Sequence, residues 1–586
     1  MKKSGSKQIR HRARGWGLIA LALFAALAAQ LWSIQVIQHE HFRELADNTR
    51  GHRLPIQAPR GNIYDRNGNP LAFNLKLYSI AVDPSIVIDP AATAAALAPL
   101  LRMSQEDLQR ALSPQGDVRY VLLRQTVDQP IADAVRQLGE PALIVNTQWK
   151  RAYPHQTIAA SLLGFVGRDR TGLAGIEAAL NQQLAGADGE MLVLLDGRLP
   201  QSRTEIPGRT VITRHMTPGS SLVLTIDLAI ESIAEEELAN AVEAAGAAGG
   251  TALVMDPNTG AVLAIAAQPS FDPNEFQHYD PLTWVSQAVS APYEPGSTFK
   301  VVTACAAIEE DIMADGQTHV CNGTMSIGRR TIGCALHHGT RAHGELDLDQ
   351  MVIKSCNVGM ASTALSLGAE RMYRWVRRFG FGERSGIELL GESPGELTPP
   401  ARWSQVQVAN IGFGQGISVT PIQLLSAYCT IANGGRRVHP HVVQLVRDAR
   451  AHEERFGDTS QEQIISPATA ERMRAALEMV VQEGTGTIAQ IPGRRVAGKT
   501  GTAQKWTPEE GYRSGRYIGS FVGYAPADNP RLAILVVIDE PTNGHYGAVV
   551  AAPAFRRICE RALSYLRVPP EDRYIAAGAG PPSLRG

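Results

Sequence analysis

Apolar and polar positions follow three different patterns along this chain. Between Gly15 and His39 there is no Asp, Glu, Lys or Arg, and Trp16–Ile37 is a run of 22 mostly apolar residues. A helix of that length spans about 33 Å at 1.5 Å per residue, enough for a bilayer core of about 30 Å. Trp16 and Trp32 stand near its two ends, where aromatic side chains favour the membrane interface. Residues 1–14 carry Lys2, Lys3, Lys7, Arg10, Arg12 and Arg14 and no acid. The pattern predicts a basic cytoplasmic tail (1–14) and a transmembrane anchor (15–39), with the rest of the chain outside the cytoplasm. The competing reading is a cleaved signal peptide, because Ala26-Leu27-Ala28 has the small residues of a cleavage site. The apolar run continues nine residues beyond that point, which favours the anchor.

Shorter periods follow. Residues 40–217 read as a mixed α/β region. Helices are expected over 91–112 and 129–138, and two short strands around the Asn67-Gly68 turn. Asp65, Asn67 and Asn69 have calcium-loop spacing, but Lys76 stands where the bidentate Glu is needed, so the turn is the better reading. Met216-Thr-Pro-Gly-Ser220 marks a boundary. Beyond it, apolar runs at Leu222–Ile226, Thr251–Met255, Ala261–Ala267, Ile518–Tyr524 and Leu532–Ile538 predict strands, and Leu228–Ala245 a helix. Strands at both ends of 218–570 with helices between them predict an α+β fold, an antiparallel sheet packed with helices. The Gly-, Ala- and Pro-rich stretch 571–586 reads as a disordered tail.

Composition narrows the classes of function. The 586 residues hold 56 Lys plus Arg against 57 Asp plus Glu, a formal charge of −1. That balance removes the attraction a general nucleic-acid binder needs. Six cysteines are too few for a disulfide scaffold.

Three short motifs in 218–570 carry the candidate chemistry. In Glu294-Pro-Gly-Ser-Thr-Phe-Lys300, Pro295 and Gly296 break the chain before an apolar helix. Ser297 then sits at a helix N-terminus with Lys300 on the same face one turn on. A lysine kept neutral by burial can take the serine proton and make it a nucleophile. Alone, the motif is also compatible with a helix cap and a solvated lysine. Ser355-Cys356-Asn357 means little by itself, since Ser and Asn cap helices and turns. Lys499-Thr500-Gly501-Thr502 offers a cation and hydroxyls on a strand edge, suited to a carboxylate.

The third motif has a competitor. Gly493 to Thr500 matches the Walker A pattern, and Leu532–Ile538 followed by Asp539 resembles a Walker B strand. A P-loop needs a strand before it and a helix after it. Pro492 precedes this one, and Gly501–Gly515 shows no helical period, so a nucleotide site is disfavoured.

The ordered triple S-x-x-K, S-x-N, K-T-G is the signature of penicillin-recognising serine acyltransferases. With its flanks, the chain resembles the class B penicillin-binding proteins, the monofunctional peptidoglycan DD-transpeptidases. The likeness runs through Arg60-Gly61, Asp65 to Gly68, Gly175-Ile-Glu177, Asp256 to Pro269, Asn410 to Gly416, Lys499 to Gln504 and Phe521 to Pro526. Tyr517 to Gly523 is closer to the cell-division type. Ala548 departs from the Gly often found there. The resemblance implies a penicillin-binding transpeptidase fold over 218–570, preceded by an elongated, dimerisation-type pedestal over 40–217. It implies Ser297 as nucleophile, Lys300 as base, Ser355 as proton relay and Asn357 as a peptide-binding and Lys300-positioning group. It further implies Lys499, Thr500, Gly501 and Thr502 as the carboxylate site, and the N–H groups of Ser297 and Thr502 as oxyanion hole. No cofactor is implied. The implied partners are peptidoglycan stem peptides, β-lactams as inhibitors, and a polytopic membrane glycosyltransferase with division proteins.

Other polar clusters read less sharply. His337, His338 and His343 lie in a Gly-rich segment and read as surface rather than as metal ligands. Cys321 and Cys334 flank an apparent hairpin; outside the cytoplasm they are expected to pair, the alternative being two buried free thiols. Two functional alternatives remain: a serine β-lactamase, which shares the motifs, and a non-catalytic sensor of wall peptides or β-lactams.

Overall fold

The computed structural model describes all residues except 1–4, 43–50, 115, 117, 119, 196–204, 314–315, 335–340, 457–459, 506–510, 513–514 and 572–586. Lys2, Lys3, His337, His338 and all of the expected tail but Glu571 thus lie outside the described residues. The chain forms two compact units built from interleaved segments. One comprises Met1–Pro59, Leu75–Lys150 and Ala187–Thr217; the other comprises Arg60–Asn74, Arg151–Gly186 and Pro218–Gly586. A linear reading divides the chain once, at 217/218, whereas here 60–74 and 151–186 are part of the second unit.

In the first unit, a helix runs from Gly5 to Trp32 and ends in a π-turn at Ser33–Ile37. Trp16, Leu21, Phe24 and Trp32 are exposed along it. Gly15–Ile37 is long and apolar enough to cross a membrane, and an exposed apolar stretch of this length suggests a membrane anchor. Three antiparallel strands follow in the order Gly51–Ile56, Gly189–Leu195, Glu205–Arg214. The core of this unit gathers Tyr78, Ile80, Val82, Leu97, Leu101, Leu108, Leu112 and Val135. The helix expected over 91–112 is two helices, Pro90–Leu101 and Gln105–Leu112. Arg102 ends the first in the left-handed conformation (φ 53°), and Ser104 caps the second by accepting from the Asp107 N–H at 3.1 Å. The break falls at Arg102-Met103-Ser104, where Ser104 followed by Glu106 and Asp107 is itself a helix-start signal.

At the centre of the second unit is a five-stranded sheet with helices packed on it. Its elements are helix α1 (Leu228–Ala245), strands β1 (Gly249–Met255) and β2 (Val262–Gln268), and helices α2 (Lys300–Glu309), α3 (Asn357–Arg378), α4 (Pro421–Ala432) and α5 (Pro467–Gln482). Strands β3 (Ala497–Gln504), β4 (Tyr517–Ala525) and β5 (Leu532–Asp539) and helix α6 (Ala552–Tyr565) complete it. The sheet is antiparallel, in the order β2-β1-β5-β4-β3, so its strands come from both ends of the segment as the sequence pattern predicts. Side chains alternate between its faces. Ala252, Val254, Ile534 and Val536 pack with Ile230 and Leu238 of α1 and with Phe555 and Ile558 of α6. Leu253, Met255, Val522 and Leu535 pack with Val302, Tyr428 and Leu477 from α2, α4 and α5. Helices on both faces explain why the strands read as unbroken apolar runs.

Polar groups fix the ends and the attachments. Asp227 caps α1, accepting from the Ala229 and Ile230 N–H groups, and Thr420 with Gln423 forms a capping box on α4. In the Asn67-Gly68 turn, Asp65 Oδ1 accepts from the Asn67 and Asn69 N–H groups at 2.9 and 2.7 Å. That carboxylate is thereby occupied as a turn residue. Ile63 and Tyr64 pair in parallel with Leu222 and Val223. Nearby, Glu177 is fully buried between Arg60 Nε (2.5 Å) and Arg151 Nε (2.6 Å). These contacts are what draw 60–74 and 151–186 into this unit.

Candidate active site

Ser297 lies in a single 3-10 turn, Gly296–Phe299, that runs directly into α2. The turn is held from several sides. Gly296 N–H donates to Gly414 O at 3.0 Å. Thr298 Oγ1 donates to Pro295 O at 2.7 Å, and Tyr428 Oη donates to Thr298 O at 2.9 Å. Gly414 adopts φ +84°, and a Cβ there would overlap the Gly296 carbonyl. This is the physical reason for glycine in the Asn410–Gly416 segment.

Lys300 is fully buried one turn from Ser297. Its Nζ donates to Ser355 O at 2.6 Å, Ser355 Oγ at 3.1 Å and Asn357 Oδ1 at 2.7 Å. Ser355 adopts φ +55° in the tight turn between the helix Leu348–Ile353 and α3. Asn357 opens α3, and its Nδ2 donates to Gly333 O at 3.0 Å. The second motif is therefore a helix start, as its residue types allow, but one whose polar groups converge on a lysine. Burial pushes the Lys300 pKa down to about 8, with the thiols of Cys356 and Cys334 opposing the shift.

Lys499, Thr500, Gly501 and Thr502 lie in β3. Lys499 and Thr500 stand in mid-strand rather than at a helix start, so the Walker A match has no P-loop geometry. Lys499 is buried, and its pKa is held well below the usual lysine value by burial and by Lys300. Its Nζ donates to Thr485 Oγ1 at 3.4 Å, and Thr485 Oγ1 lies 3.0 Å from Thr500 Oγ1. Thr485 belongs to no motif and was not legible in the sequence. Thr502 Oγ1 accepts from the Gly547 N–H at 3.1 Å. A Cβ at Gly501 would stand 3.1 Å from Pro295 O and 2.9 Å from Thr298 Cγ2. Strand β3 thus lies against the Ser297 turn, and Gly501 permits it.

The expected Cys321–Cys334 bond is not formed. The two sulfurs are 3.7 Å apart, and all six cysteines are free, whereas a disulfide needs about 2.05 Å. The reason is visible around them: Cys356 Sγ is also 3.7 Å from Cys334 Sγ, and His343 Nδ1 is 3.6 Å from Cys321 Sγ. Cys334 belongs to a cluster rather than to a pair.

Comparison with known proteins places these features. Residues 250–560 match the family described as the penicillin binding protein transpeptidase domain, and residues 55–224 match the penicillin-binding protein dimerisation domain. The chain is 33% identical to stage V sporulation protein D of Bacillus subtilis over 564 residues, covering 95% of this chain and 86% of that protein. It is 30% identical to peptidoglycan D,D-transpeptidase FtsI of Escherichia coli over 568 residues, covering 95% of this chain and 92% of the relative. Among solved structures, penicillin binding protein 3 of Mycobacterium tuberculosis complexed with aztreonam superposes with a TM-score of 0.68 at 29% identity, covering 90% of this chain and 99% of that one.

Proposed function

The chain belongs to the class B penicillin-binding proteins, the monofunctional peptidoglycan D,D-transpeptidases, and on that premise we propose how its own residues carry the reaction. Peptidoglycan is the substrate and β-lactams are the inhibitors of this serine acyltransferase. The observation that carries the assignment of roles is the burial of Lys300 between Ser355 and Asn357, one turn from Ser297.

A neutral amine has two hydrogens and one lone pair. Lys300 spends the hydrogens on Ser355 O and Asn357 Oδ1, and its lone pair accepts the proton of the Ser297 hydroxyl. Ser297 Oγ then attacks the penultimate D-alanine carbonyl of a stem pentapeptide. The developing oxyanion is met by the N–H groups of Ser297 and Thr502. Lys499, Thr500 and Thr502 hold the terminal carboxylate, with Thr485 fixing Thr500 from behind. The C–N bond breaks, and the proton on Lys300 passes through Ser355 Oγ to the departing D-alanine amine. An amine from a second stem peptide attacks the acyl-enzyme and gives its proton back along the same path. The cross-link forms and Ser297 regains its hydrogen.

The same reading places the chain in septal wall synthesis, beside a polytopic membrane glycosyltransferase and division proteins. It puts the N-terminus in the cytoplasm and the catalytic unit outside, because the basic residues precede the anchor helix. Its domains are a cytoplasmic tail, an anchor, a pedestal over 40–217 and a transpeptidase domain over 218–570. Mass spectrometry after treatment with penicillin tests the core of the proposal. The adduct is expected on the peptide that contains Ser297 and absent from a folded Ser297→Ala chain. Labelling of that variant to the wild-type level contradicts the assignment.

A further inference from the structure

Four side chains that the transpeptidase chemistry does not use converge next to its second motif. They are Cys321, Cys334, His343 and Cys356, spaced by 12, 8 and 12 intervening residues. Their ligand atoms all lie within 4.8 Å of one another, and the three cysteines are buried. From this cluster we infer that the chain binds a structural zinc ion through three thiolates and the His343 imidazole.

The distances carry the inference. A tetrahedral zinc with Zn–S near 2.3 Å and Zn–N near 2.05 Å sets its sulfurs about 3.8 Å apart and each sulfur about 3.5–3.6 Å from the nitrogen. The cluster shows 3.7 Å for Cys321–Cys334, 3.7 Å for Cys334–Cys356 and 3.6 Å for Cys321 Sγ to His343 Nδ1. The remaining separations close to a tetrahedron with shifts of under about 1 Å. A disulfide needs one pair at about 2.05 Å and leaves the other sulfur and the imidazole without a role.

The surroundings favour thiolates. Val358 N–H donates to Cys334 Sγ at 3.4 Å, and Gly359 N–H donates to Cys356 Sγ at 3.2 Å. Cys356 is the N-cap of the 22-residue helix α3, where the helix dipole stabilises negative charge. Three soft thiolates and one imidazole select zinc among the common divalent ions, and four protein ligands leave no open position, the mark of a structural site. Binding replaces three thiol protons, which leave to solvent, and keeps the imidazole neutral.

The ligands also come from the parts that most need a tie. Cys321 ends the strand His319–Cys321, which pairs with Gly344–Leu346 next to His343. Cys334 follows the strand Arg330–Gly333 of a second two-stranded ribbon. Two such ribbons have little core of their own, and a metal is a common staple for small elements of this kind. The ion would fasten both ribbons to Cys356, between Ser355 and Asn357.

The test uses the full chain purified in detergent under reducing conditions. Elemental analysis is expected to find about one zinc per chain. Cys321→Ser and His343→Ala are expected to lose it, and Cys559→Ser to retain it. To keep the test independent of how a ligand variant folds, cobalt(II) is also added to the metal-stripped wild-type chain, where the intense visible spectrum of tetrahedral cobalt thiolate is expected. Absence of both zinc and that spectrum overturns the inference, as does a disulfide among Cys321, Cys334 and Cys356 in protein taken directly from its native compartment. Full zinc occupancy in His343→Ala overturns the ligand set.

Discussion

Lys300 Nζ lies 2.6 Å from the carbonyl oxygen of Ser355, and it reaches that residue's hydroxyl as well, at 3.1 Å. Both contacts exist because Ser355 stands at φ +55°. A non-glycine residue in that region costs about 1–3 kcal/mol and persists where surrounding structure enforces it. Here the neighbouring Cys356 N–H bond to Met351 O, at 2.8 Å, closes the turn. The strain points the carbonyl and hydroxyl of one residue at the same amine, so Lys300 is held and connected to a proton path by a single side chain and its backbone.

The first prediction concerns pH. The competent form of Lys300 is the neutral amine, and burial lowers its pKa to about 8. At pH 7 about one lysine in ten is then neutral, against fewer than about one in a thousand for an exposed side chain. The second-order rate of acylation by penicillin is expected to rise about tenfold per pH unit below 8 and to level off above it. Stopped-flow acylation between pH 6 and 9 measures this. A rate independent of pH across that range removes Lys300 as base.

The second concerns Thr485, whose hydroxyl links Lys499 and Thr500. Thr485→Val keeps the shape and removes both hydrogen bonds. A buried partner lost in this way costs about 1–3 kcal/mol, so acylation should slow by about ten- to a hundredfold. The melting temperature should change little, and the loss should appear in apparent penicillin affinity. An unchanged acylation rate shows that Thr485 does not support the carboxylate site.

How far these sites were legible depended on whether chemistry follows the chain or crosses it. Ser297 and Lys300 are one helical turn apart, so their spacing announced the pair. Ser355 and Asn357 read as capping residues on their own and are marked only by their place in the ordered triple; their contact with Lys300 appears only in the fold. Thr485 lies in Gly484-Thr-Gly-Thr487, 14 residues before Lys499 and outside the three motifs. The Cys321–Cys334 pair was half of a larger set, because Cys356 and His343 reach it only through the folding of two ribbons against α3. The interleaving of the two compact units across 217/218 escapes a linear reading for a similar reason. Glu177 draws Arg60 and Arg151 into one buried cluster over more than a hundred residues of sequence, and a sequence-local period does not record that.

The third prediction tests that cluster. Glu177 accepts from Arg60 Nε and Arg151 Nε, and Tyr153 Oη donates to it at 3.2 Å, all out of water. Removing the carboxylate leaves two buried guanidinium groups without a counter-charge, which costs about 3–5 kcal/mol. Glu177→Gln is expected to destabilise the catalytic-site unit by that amount in urea melts of the full chain. Acylation by penicillin below the melt should be preserved, because the cluster touches none of the motif residues. A loss under about 1 kcal/mol would mean that the guanidinium groups find water or other acceptors.

The last prediction separates a transpeptidase from a β-lactamase by the lifetime of the penicilloyl ester on Ser297. Hydrolysis needs a base that aims water at the ester carbonyl. Class A β-lactamases use a Glu with an Asn four residues later, between the second and third motifs. Here the asparagines between Asn357 and Lys499 are Asn410 and Asn433, preceded at that distance by Val406 and Cys429. Class D enzymes instead carboxylate the motif lysine in an apolar pocket. Lys300 Nζ is surrounded by Ser355 O and Asn357 Oδ1 at 2.6 and 2.7 Å, and two acceptor oxygens at that distance repel a carbamate anion. The acid closest in sequence to Ser297, Glu294, has Oε1 engaged by the Gly416 N–H at 2.8 Å and by Tyr512 Oη at 2.6 Å. Loss of general-base assistance slows hydrolysis by about 10²–10⁴, so the adduct should persist for many minutes. A chase of labelled penicilloyl-protein, followed by mass spectrometry, gives the lifetime directly. Release within seconds would make the chain a hydrolase and set aside the transpeptidase mechanism.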